Sequence, residues 1–169
     1  AEPLLREAVE TRRHKLGDAD ASTLRALDSH GVILRALGRL YEAHALFTET
    51  VAARKALLER SPTVELQAEA LTSMNNLGAL LKRLGKLDEA LAVLGEALES
   101  RRSLLGSEHP DTIVSLNNLA SLHMLREQHD AAEALLKEAV RSAFKVLGPQ
   151  HPNTSCLLYT SPSPRDTNE

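Results

Sequence analysis

Apolar residues recur along this sequence at intervals of three, four and seven positions, the spacing of one buried face of an α-helix. The clearest example runs from Leu71 to Thr112, where two such stretches meet at Gly85. The pattern returns 42 residues later, from Ile113 to Ser155. It predicts repeated pairs of antiparallel helices. The predicted helices are Ala1–Leu16, Ser22–Leu37, Arg39–Glu59, Val64–Leu84, Lys86–Leu105, Pro110–Arg126 and Gln128–Leu147.

Small residues mark equivalent points of these pairs. The second helices open on Ala1, Ala43, Ala90 and Ala132, at spacings of 42, 47 and 42. The first helices carry Gly31, Gly78 and Ala120 at one matching point. A small residue is needed where two helices cross closely, because a larger side chain would clash. A fixed period of this length favours stacked repeats over a generic helical bundle.

The linkers between pairs repeat as well. They read LGDADAST from Leu16, LGSEHPDT from Leu105 and LGPQHPNT from Leu147. The glycines, at Gly17, Gly106 and Gly148, suit left-handed residues that end a helix, and Pro110 and Pro152 suit the first turn of the next. Ser22, Asp111 and Thr112 are expected to support helix N-termini. The link around Pro62 is five residues longer and predicts longer flanking helices, without a domain boundary.

Three residues depart from the repeat pattern. Glu127 stands where Gly38 and Gly85 make the turn inside the other pairs, so this turn must either strain or change shape. His30 stands where the other repeats have Leu77 and Leu119, and His123 is a second histidine within the first helices. We expect both histidines to lie at the edge of the core with a polar partner, because no further ligands stand near them at metal-binding spacing.

Composition excludes several functional classes. The chain of 169 residues has a net charge of −3 and 2% aromatic residues, which does not favour a β-sandwich or binding to nucleic acid or anionic membrane. No apolar run approaches a membrane span. No phosphate loop, zinc-binding helix or nucleophile elbow is present, so we predict no enzyme, cofactor or metal. The single Cys156 fits a reducing compartment, and we predict a cytoplasmic location.

The last residues break the repeat. From Cys156 to Asp166 the sequence CLLYTSPSPRD resembles a translated transposase-end adapter from sequencing libraries, and residues 167–169 would be index sequence. The alternative is a natural Ser/Pro-rich disordered tail. In either case residues 156–169 are left out of functional argument. We expect the natural sequence to end near Ser155 and, because it opens on a second helix without Met, to be a fragment of a longer array.

The motif LG-x-x-HP-x-T, followed by NNLA and a second apolar helix, resembles the tetratricopeptide repeat in its 42-residue form, typical of kinesin light chains and of arrays attached to signalling ATPases. The resemblance implies an all-α, right-handed α-solenoid of antiparallel helix pairs over residues 1–155. The half repeat would be 1–23, and the full repeats 24–70, 71–112 and 113–155. Residues 156–169 would form the disordered tail.

The resemblance also implies a concave groove lined by the first helices. Its peptide-binding positions fall on Arg25, Asp28, Arg35, Thr72, Asn75, Ala79, Lys82, Arg83, Asn117, Ser121 and Met124. Asn75 and Asn117 offer amides that bind a peptide backbone, although one Asn of each pair could instead hold a neighbouring repeat. The cations of the first two repeats and the apolar residues of the third predict a peptide with acidic and hydrophobic parts. The alternative is that these cations are simply solvated.

We therefore predict a scaffold that holds a partner protein or peptide and performs no chemistry of its own. Two alternatives stay open. One is a structural spacer that self-associates through uncapped ends. The other is a sensor segment of a larger signalling ATPase.

Overall fold

The computed structural model describes residues 2–147, and the part of the chain they form is helical, with no strand. Each predicted helix boundary is confirmed to within one residue, and so is the all-α class. Gly148, Pro152 and the predicted tail from Cys156 lie outside the described residues. The helices are α1 Glu2–Leu16, α2 Ala21–Ala36, α3 Leu40–Arg60, α4 Val64–Arg83, α5 Leu87–Leu105, α6 Pro110–Leu125 and α7 His129–Leu147.

Contacts divide the described residues into two compact units, 2–93 and 94–147, with the division inside α5. In the first unit α2 packs against α1 and α3, and α4 packs against α3 and touches α2. Leu24, Leu27 and Phe47 are fully buried between these helices. Phe47 of α3 lies against Gly31 of α2, which confirms the predicted close crossing: a Cβ on Gly31 would stand 2.7 Å from the ring.

In the second unit α6 packs against α7. Leu116 and Leu122 of α6 are fully buried, as are the small residues Ala132 and Ala139 of α7. Ala120 is also fully buried, in agreement with the small residue that the repeat pattern required on the first helix of each pair. The same apolar pattern therefore forms the core of both units.

The turns inside the pairs share one backbone shape. Gly38 and Gly85 have φ angles of 80° and 75°, and Glu127 adopts 58° at the equivalent position. All three turns form equivalent backbone hydrogen bonds. Arg39 N donates to Leu34 O at 2.9 Å, and Gln128 N donates to His123 O at 2.9 Å. The third turn therefore keeps its shape and accepts a left-handed conformation at a residue with a side chain, which is strained. Of the two outcomes that the sequence allowed, strain is the one found.

The side chains that accept hydrogen bonds from the helix N-termini are not the ones that the sequence predicts. Asp20, and not Ser22, caps α2: its Oδ1 accepts from the backbone N of Ser22 at 2.8 Å. For α6 the acceptor is Nδ1 of His109, which lies 3.2 Å from the backbone N of Asp111. The prediction chose residues just inside each helix, whereas a capping side chain must stand before the first turn to reach its free N–H groups.

The longer link joins the longest helices of the described chain. α3 has 21 residues and α4 has 20, and only residues 61–63 separate them. The Thr63 hydroxyl accepts from the Leu66 backbone N at 3.2 Å and so caps α4. Both helices belong to the first unit. The prediction of longer flanking helices is confirmed. Among the described residues, no helix combines the length and apolar character that a membrane crossing needs.

Candidate functional site

The predicted ligand positions of the first unit lie on α2 and α4, which touch each other. Arg25, Thr72 and Arg83 are exposed, and the other five positions in this unit are half-buried. Thr72 donates its hydroxyl to the Ala68 carbonyl at 3.0 Å, within its own helix. Both helices thus contribute accessible side chains.

Asp28 is engaged inside the protein by a buried arginine. Arg54 of α3 is 1% exposed, and its Nη1 donates both to Oδ2 of Asp28 on α2 and to Oγ of Ser73 on α4. The Ser73 hydroxyl in turn donates to Oδ2 of Asp28 at 2.8 Å. The three side chains tie together three helices. Oδ1 of Asp28 is buried as well, without a hydrogen-bond partner. The observed contacts of Asp28 are therefore internal, and ligand binding by it stays a prediction.

Glu69 extends this network to the surface. Its Oε1 accepts from Nη1 of the exposed Arg25 at 2.9 Å, and its Oε2 lies 3.4 Å from Nη2 of Arg54. The charges of these two arginines are therefore balanced by the carboxylates of Glu69 and Asp28. We call the exposed surface that carries the predicted ligand positions of α2 and α4 the α2–α4 face. At this end of the face the charges of the described residues cancel.

The buried arginine recurs in the second unit. Arg101 is 3% exposed, and its Nη1 donates to Ser115 Oγ at 2.7 Å and to the Asp111 carbonyl at 2.9 Å. Burial lowers the pKa of Arg101, partly opposed by the charge of Asp111. Sequence reasoning missed both arginines, although a signal was present. Arg101 follows Arg54 by 47 positions, the interval between Ala43 and Ala90, so both occupy one point of the repeat.

The other end of the α2–α4 face is strongly cationic. Arg35 ends α2, while Lys82 and Arg83 end α4, and Nη1 of Arg83 donates to the Arg35 carbonyl at 3.0 Å. Burial, and secondarily the charge of Arg83, lowers the pKa of Arg35, and burial lowers the pKa of Lys82. Within residues 2–147, neither Arg35 nor Arg83 forms an ion pair. We call these three residues the cationic cluster.

The amide positions lie between the two ends. Asn75 and Ala79 are both half-buried on α4, four residues apart and thus on one helix face. Lys82 continues the same face three residues further on. The sequence predicted this alignment from helical spacing, and the unbroken helix Val64–Arg83 confirms it.

In the second unit the corresponding face belongs to α6. Val114, Met124 and Leu125 are 47%, 49% and 57% exposed. Oδ1 of Asn117 is buried and has no hydrogen-bond partner in the protein, while the Ser121 hydroxyl donates to the Asn118 carbonyl at 2.9 Å. This helix face is therefore apolar at its ends, and it carries one unsatisfied acceptor.

The two unusual histidines are not arranged as ligands. His30 is 8% exposed, and Nδ1 of His123 lies 2.7 Å from Oε1 of Gln128. The predicted polar partner of His123 is thus confirmed. No group of three or more His, Cys, Asp or Glu side chains in the described part of the chain has the geometry of a metal site.

Comparison with known proteins gives two family matches, both described as tetratricopeptide repeats. One spans residues 23–62 and the other residues 69–143, together more than half of the chain. The first match ends within the longer link and the second begins inside α4, and together they cover all the predicted ligand positions. The comparison with curated proteins gives no match.

Two crystal structures of a kinesin light chain-like protein from Podosopora anserina, with nearly identical TPR-like repeats, are similar. One, a single-site variant, gives a TM-score of 0.77 at 25% identity, over 92% of this chain and 71% of that one. The other gives 0.76 at 24% identity with the same coverage. BtubC from P. vanneervenii gives 0.70 at 19% identity, over 90% of this chain and 58% of that one, and this likeness concerns the fold alone.

Proposed function

The chain belongs to the tetratricopeptide repeat family, and from that premise we propose that it binds an extended peptide of a partner protein along the exposed faces of its first helices. The family supports a protein-binding scaffold. In the first unit the binding face would be formed by α2 and α4. Arg25, Thr72 and Asn75 would border it, with Ala79 as its floor. We also propose that the protein performs no chemistry of its own and is located in the cytoplasm.

The cationic cluster is the observation that carries the proposal. Arg35 and Lys82 are partly withdrawn from water, which lowers the pKa of each, and Arg83 adds a third positive charge close by. A carboxylate of a ligand would relieve the repulsion between Arg35 and Arg83 and form charge-assisted hydrogen bonds, which are about twice as strong as neutral ones. The helix C-termini stabilise cations by themselves, so the cluster persists without a ligand.

The face between the cluster and the Arg25–Glu69 pair suits a peptide backbone. The Asn75 side chain carries an amide donor and an acceptor, which match backbone groups whatever the side chains of the peptide. Ala79, one turn further along α4, leaves room for a main chain to approach. These two residues favour an extended ligand over a globular surface.

On α6 the exposed Val114, Met124 and Leu125 favour apolar ligand side chains. The half-buried Asn117 carries an amide that offers donors and an acceptor to a peptide backbone, as Asn75 does. Ser121 and Met124 lie four and seven residues after Asn117, on the same helix face. We therefore propose a ligand with hydrophobic residues in addition to acidic ones.

Charge reversal at the cluster tests the proposal. The double variant Arg35→Glu/Lys82→Glu would be titrated with a library of labelled acidic and neutral peptides and followed by fluorescence anisotropy. A matched control, Lys15→Glu/Arg60→Glu, makes the same change in net charge at exposed residues of α1 and α3. We expect acidic peptides to bind the cluster variant at least about tenfold more weakly, since each charged hydrogen bond contributes about 1.5–3 kcal/mol.

An unchanged preference for acidic peptides in the cluster variant would contradict the proposal. Equal losses in the cluster variant and the control would contradict it too, because they would indicate a response to net charge alone. Sedimentation of the chain with and without peptide distinguishes the peptide-binding scaffold from the self-associating spacer. A chain that sediments as a multimer and binds none of the peptides would support the spacer instead.

A further inference from the structure

Two guanidinium groups of the cationic cluster lie together without a carboxylate to balance them. Nη1 of Arg83 on α4 donates to the Arg35 carbonyl on α2 at 3.0 Å. Burial, and then the charge of Arg83, lowers the pKa of Arg35, so the two charges act on each other. Among residues 2–147, the Arg35 guanidinium has no hydrogen bond or ion pair, and Arg83 has no ion pair. Two positive charges are therefore left unbalanced by the described part of the chain.

The acidic residues of the surrounding helices are engaged elsewhere. α2 has no acidic residue after Asp28, and α4 has none after Glu69. Both of these carboxylates pair with Arg54, at the other end of the α2–α4 face. Glu42, in the first turn of α3, accepts from Nε and Nη2 of Arg39 at 2.6 Å each. The negative charge that balances Arg35 and Arg83 therefore has to come from the solution or from a ligand.

The two arginines are not needed to cap their helices. An arginine near a helix C-terminus often binds the last free carbonyl groups. Here Gly38 N donates to Arg35 O at 3.2 Å and Arg39 N donates to Leu34 O at 2.9 Å, and the turn after α4 forms the equivalent pair of hydrogen bonds. Because a guanidinium has five N–H groups, most of those on Arg35 and Arg83 remain available to a ligand.

A phosphate ester matches two arginines better than a single carboxylate does. A carboxylate has one charge and two oxygens, which one guanidinium satisfies in a bidentate pair. The phosphate of a phosphorylated serine or threonine has about −1.5 to −2 charges at pH 7 and three acceptor oxygens. Two guanidinium groups can therefore bind it together and balance its charge.

We propose that the cationic cluster is a phosphate site, which binds a phosphorylated serine or threonine of the peptide in the α2–α4 face. This inference rests on the proposed function and narrows its ligand from acidic peptides to phosphorylated ones. Asn75 and Ala79 lie on the same face of α4 as Lys82, so a peptide backbone bound along them reaches the cluster. Arg35 and Lys82 are half-buried, which favours a peptide over a membrane surface. Phosphorylation of the partner therefore strengthens its binding.

Matched peptides test the phosphate site. Fluorescein-labelled peptides of varied sequence would each be made in three forms, identical except that the central residue is serine, phosphoserine or glutamate. Each form would be titrated with the whole chain and followed by anisotropy. We expect the phosphoserine forms to bind at least about tenfold more tightly than the glutamate forms, because only the phosphate engages both arginines. The serine forms should bind most weakly.

A protein variant tests which residues recognise the phosphate. Arg83→Gln removes one guanidinium, so the preference for phosphoserine over glutamate should fall at least about fivefold. Lys86→Gln is the matched control, because it removes a charge that Glu89 already balances, with Lys86 Nζ 3.0 Å from Glu89 Oε1. The control should keep the preference of the wild type.

The pH dependence of binding separates phosphate from carboxylate. The second pKa of a phosphate ester is about 6, so the ester loses most of its second negative charge between about pH 7.5 and pH 5.5. The phosphoserine forms should therefore bind several-fold more weakly at the lower pH. The glutamate forms, with an ordinary pKa of about 4.3, should bind about equally well at both.

Four outcomes would contradict the inference. Equal binding of the phosphoserine and glutamate forms, with both lost in Arg35→Glu/Lys82→Glu, would overturn the phosphate site and leave the proposed function standing. Binding of none of the peptides would overturn both. Sedimentation with vesicles of phosphatidylcholine and phosphatidic acid in preference to binding phosphopeptides would identify a membrane ligand. Displacement of the phosphopeptides by an equal concentration of inorganic phosphate would identify the free ion as the ligand.

Discussion

Gly31 of α2 and Phe47 of α3 approach so closely that a Cβ on residue 31 would lie 2.7 Å from Cε1 of the ring. Phe47 is fully buried, so it has little room to retreat. Gly31→Ala should therefore lower the free energy of unfolding by about 1–3 kcal/mol, the usual cost of overpacking a core. Urea unfolding followed by circular dichroism measures this change.

The control for this prediction is Gly95→Ala on α5. Nothing lies within 4 Å of a Cβ on Gly95, so Ala there should stabilise its helix by up to about 1 kcal/mol. Phe47→Leu, which installs the residue found at the equivalent Leu94, should restore part of the stability lost in Gly31→Ala. The explanation fails if Gly31→Ala is as stable as the wild type, or if Phe47→Leu gives no recovery.

Removing Arg54 should leave a carboxylate without its cation. Asp28 is 16% exposed, and breaking a buried ion pair by deleting one partner costs about 3–5 kcal/mol. Arg54→Met keeps most of the side-chain volume, so the loss would reflect charge and hydrogen bonding. Chemical unfolding of the variant measures it, with the exposed Arg60→Met of the same helix as the control.

The double variant Arg54→Met/Asp28→Asn should be more stable than Arg54→Met alone, because the unpaired charge is gone. If the single and double variants unfold at the same denaturant concentration, the two side chains do not act as a pair.

The turn at Glu127 is predicted to carry strain. Its φ of 58° is left-handed, a conformation that costs a residue with a Cβ about 1–2 kcal/mol. Glu127→Gly should therefore raise the free energy of unfolding by about 1 kcal/mol, and Gly85→Glu, at a φ of 75°, should lower it by a similar amount. Thermal unfolding of both variants measures these two opposite changes in stability. A loss of stability in Glu127→Gly would mean that the Glu127 side chain stabilises the protein by more than the left-handed backbone costs.

Acid should weaken the N-terminal cap of α2. The Ser22 hydroxyl, and then its backbone N–H, lower the pKa of Asp20 from its ordinary value of 3.8. Because the pKa is lower in the folded state, this stabilisation is complete above pH 3.8 and is lost as the pH falls through the folded-state value. The difference in unfolding free energy between wild type and Asp20→Asn should shrink between pH 6 and pH 2.

The matched control for the cap is Glu59→Gln, an exposed carboxylate of α3 outside any cap. Its difference from wild type should change little over the same pH range. A constant difference for Asp20→Asn would show that the charge of Asp20 does not contribute to the cap.

The helix boundaries and the all-α class were predictable because local chemistry determines them. Glycine ends the helices at Gly17 and Gly106, Pro110 starts one, and the apolar stripe gives the buried face between these points. The repeat spacing also predicted the close crossing at Gly31. These features depend on residues that are near each other in the sequence.

The buried arginines could not be predicted in the same way. A hydrophobicity pattern counts Arg54 and Arg101 as surface residues, and their burial depends on partners supplied by other helices. For the same reason the sequence could not show that α3 provides an internal partner for Asp28, whose role as a ligand contact stays a prediction. Whether the groove positions bind a peptide depends on a molecule outside the sequence, so those positions stay a prediction.

The tie from Arg54 to Ser73 has a consequence for how such repeats are exchanged between proteins. It joins the second helix of one pair to the first helix of the next, across the predicted boundary between residues 70 and 71. A chimera cut at that boundary would bring Arg54 a foreign segment of α4 from Leu71 onward, and a sequence lacking Ser73 would leave the guanidinium one acceptor short. Because Asp28 of α2 binds Arg54 as well, a transferable cassette has to include α2, α3 and α4 together.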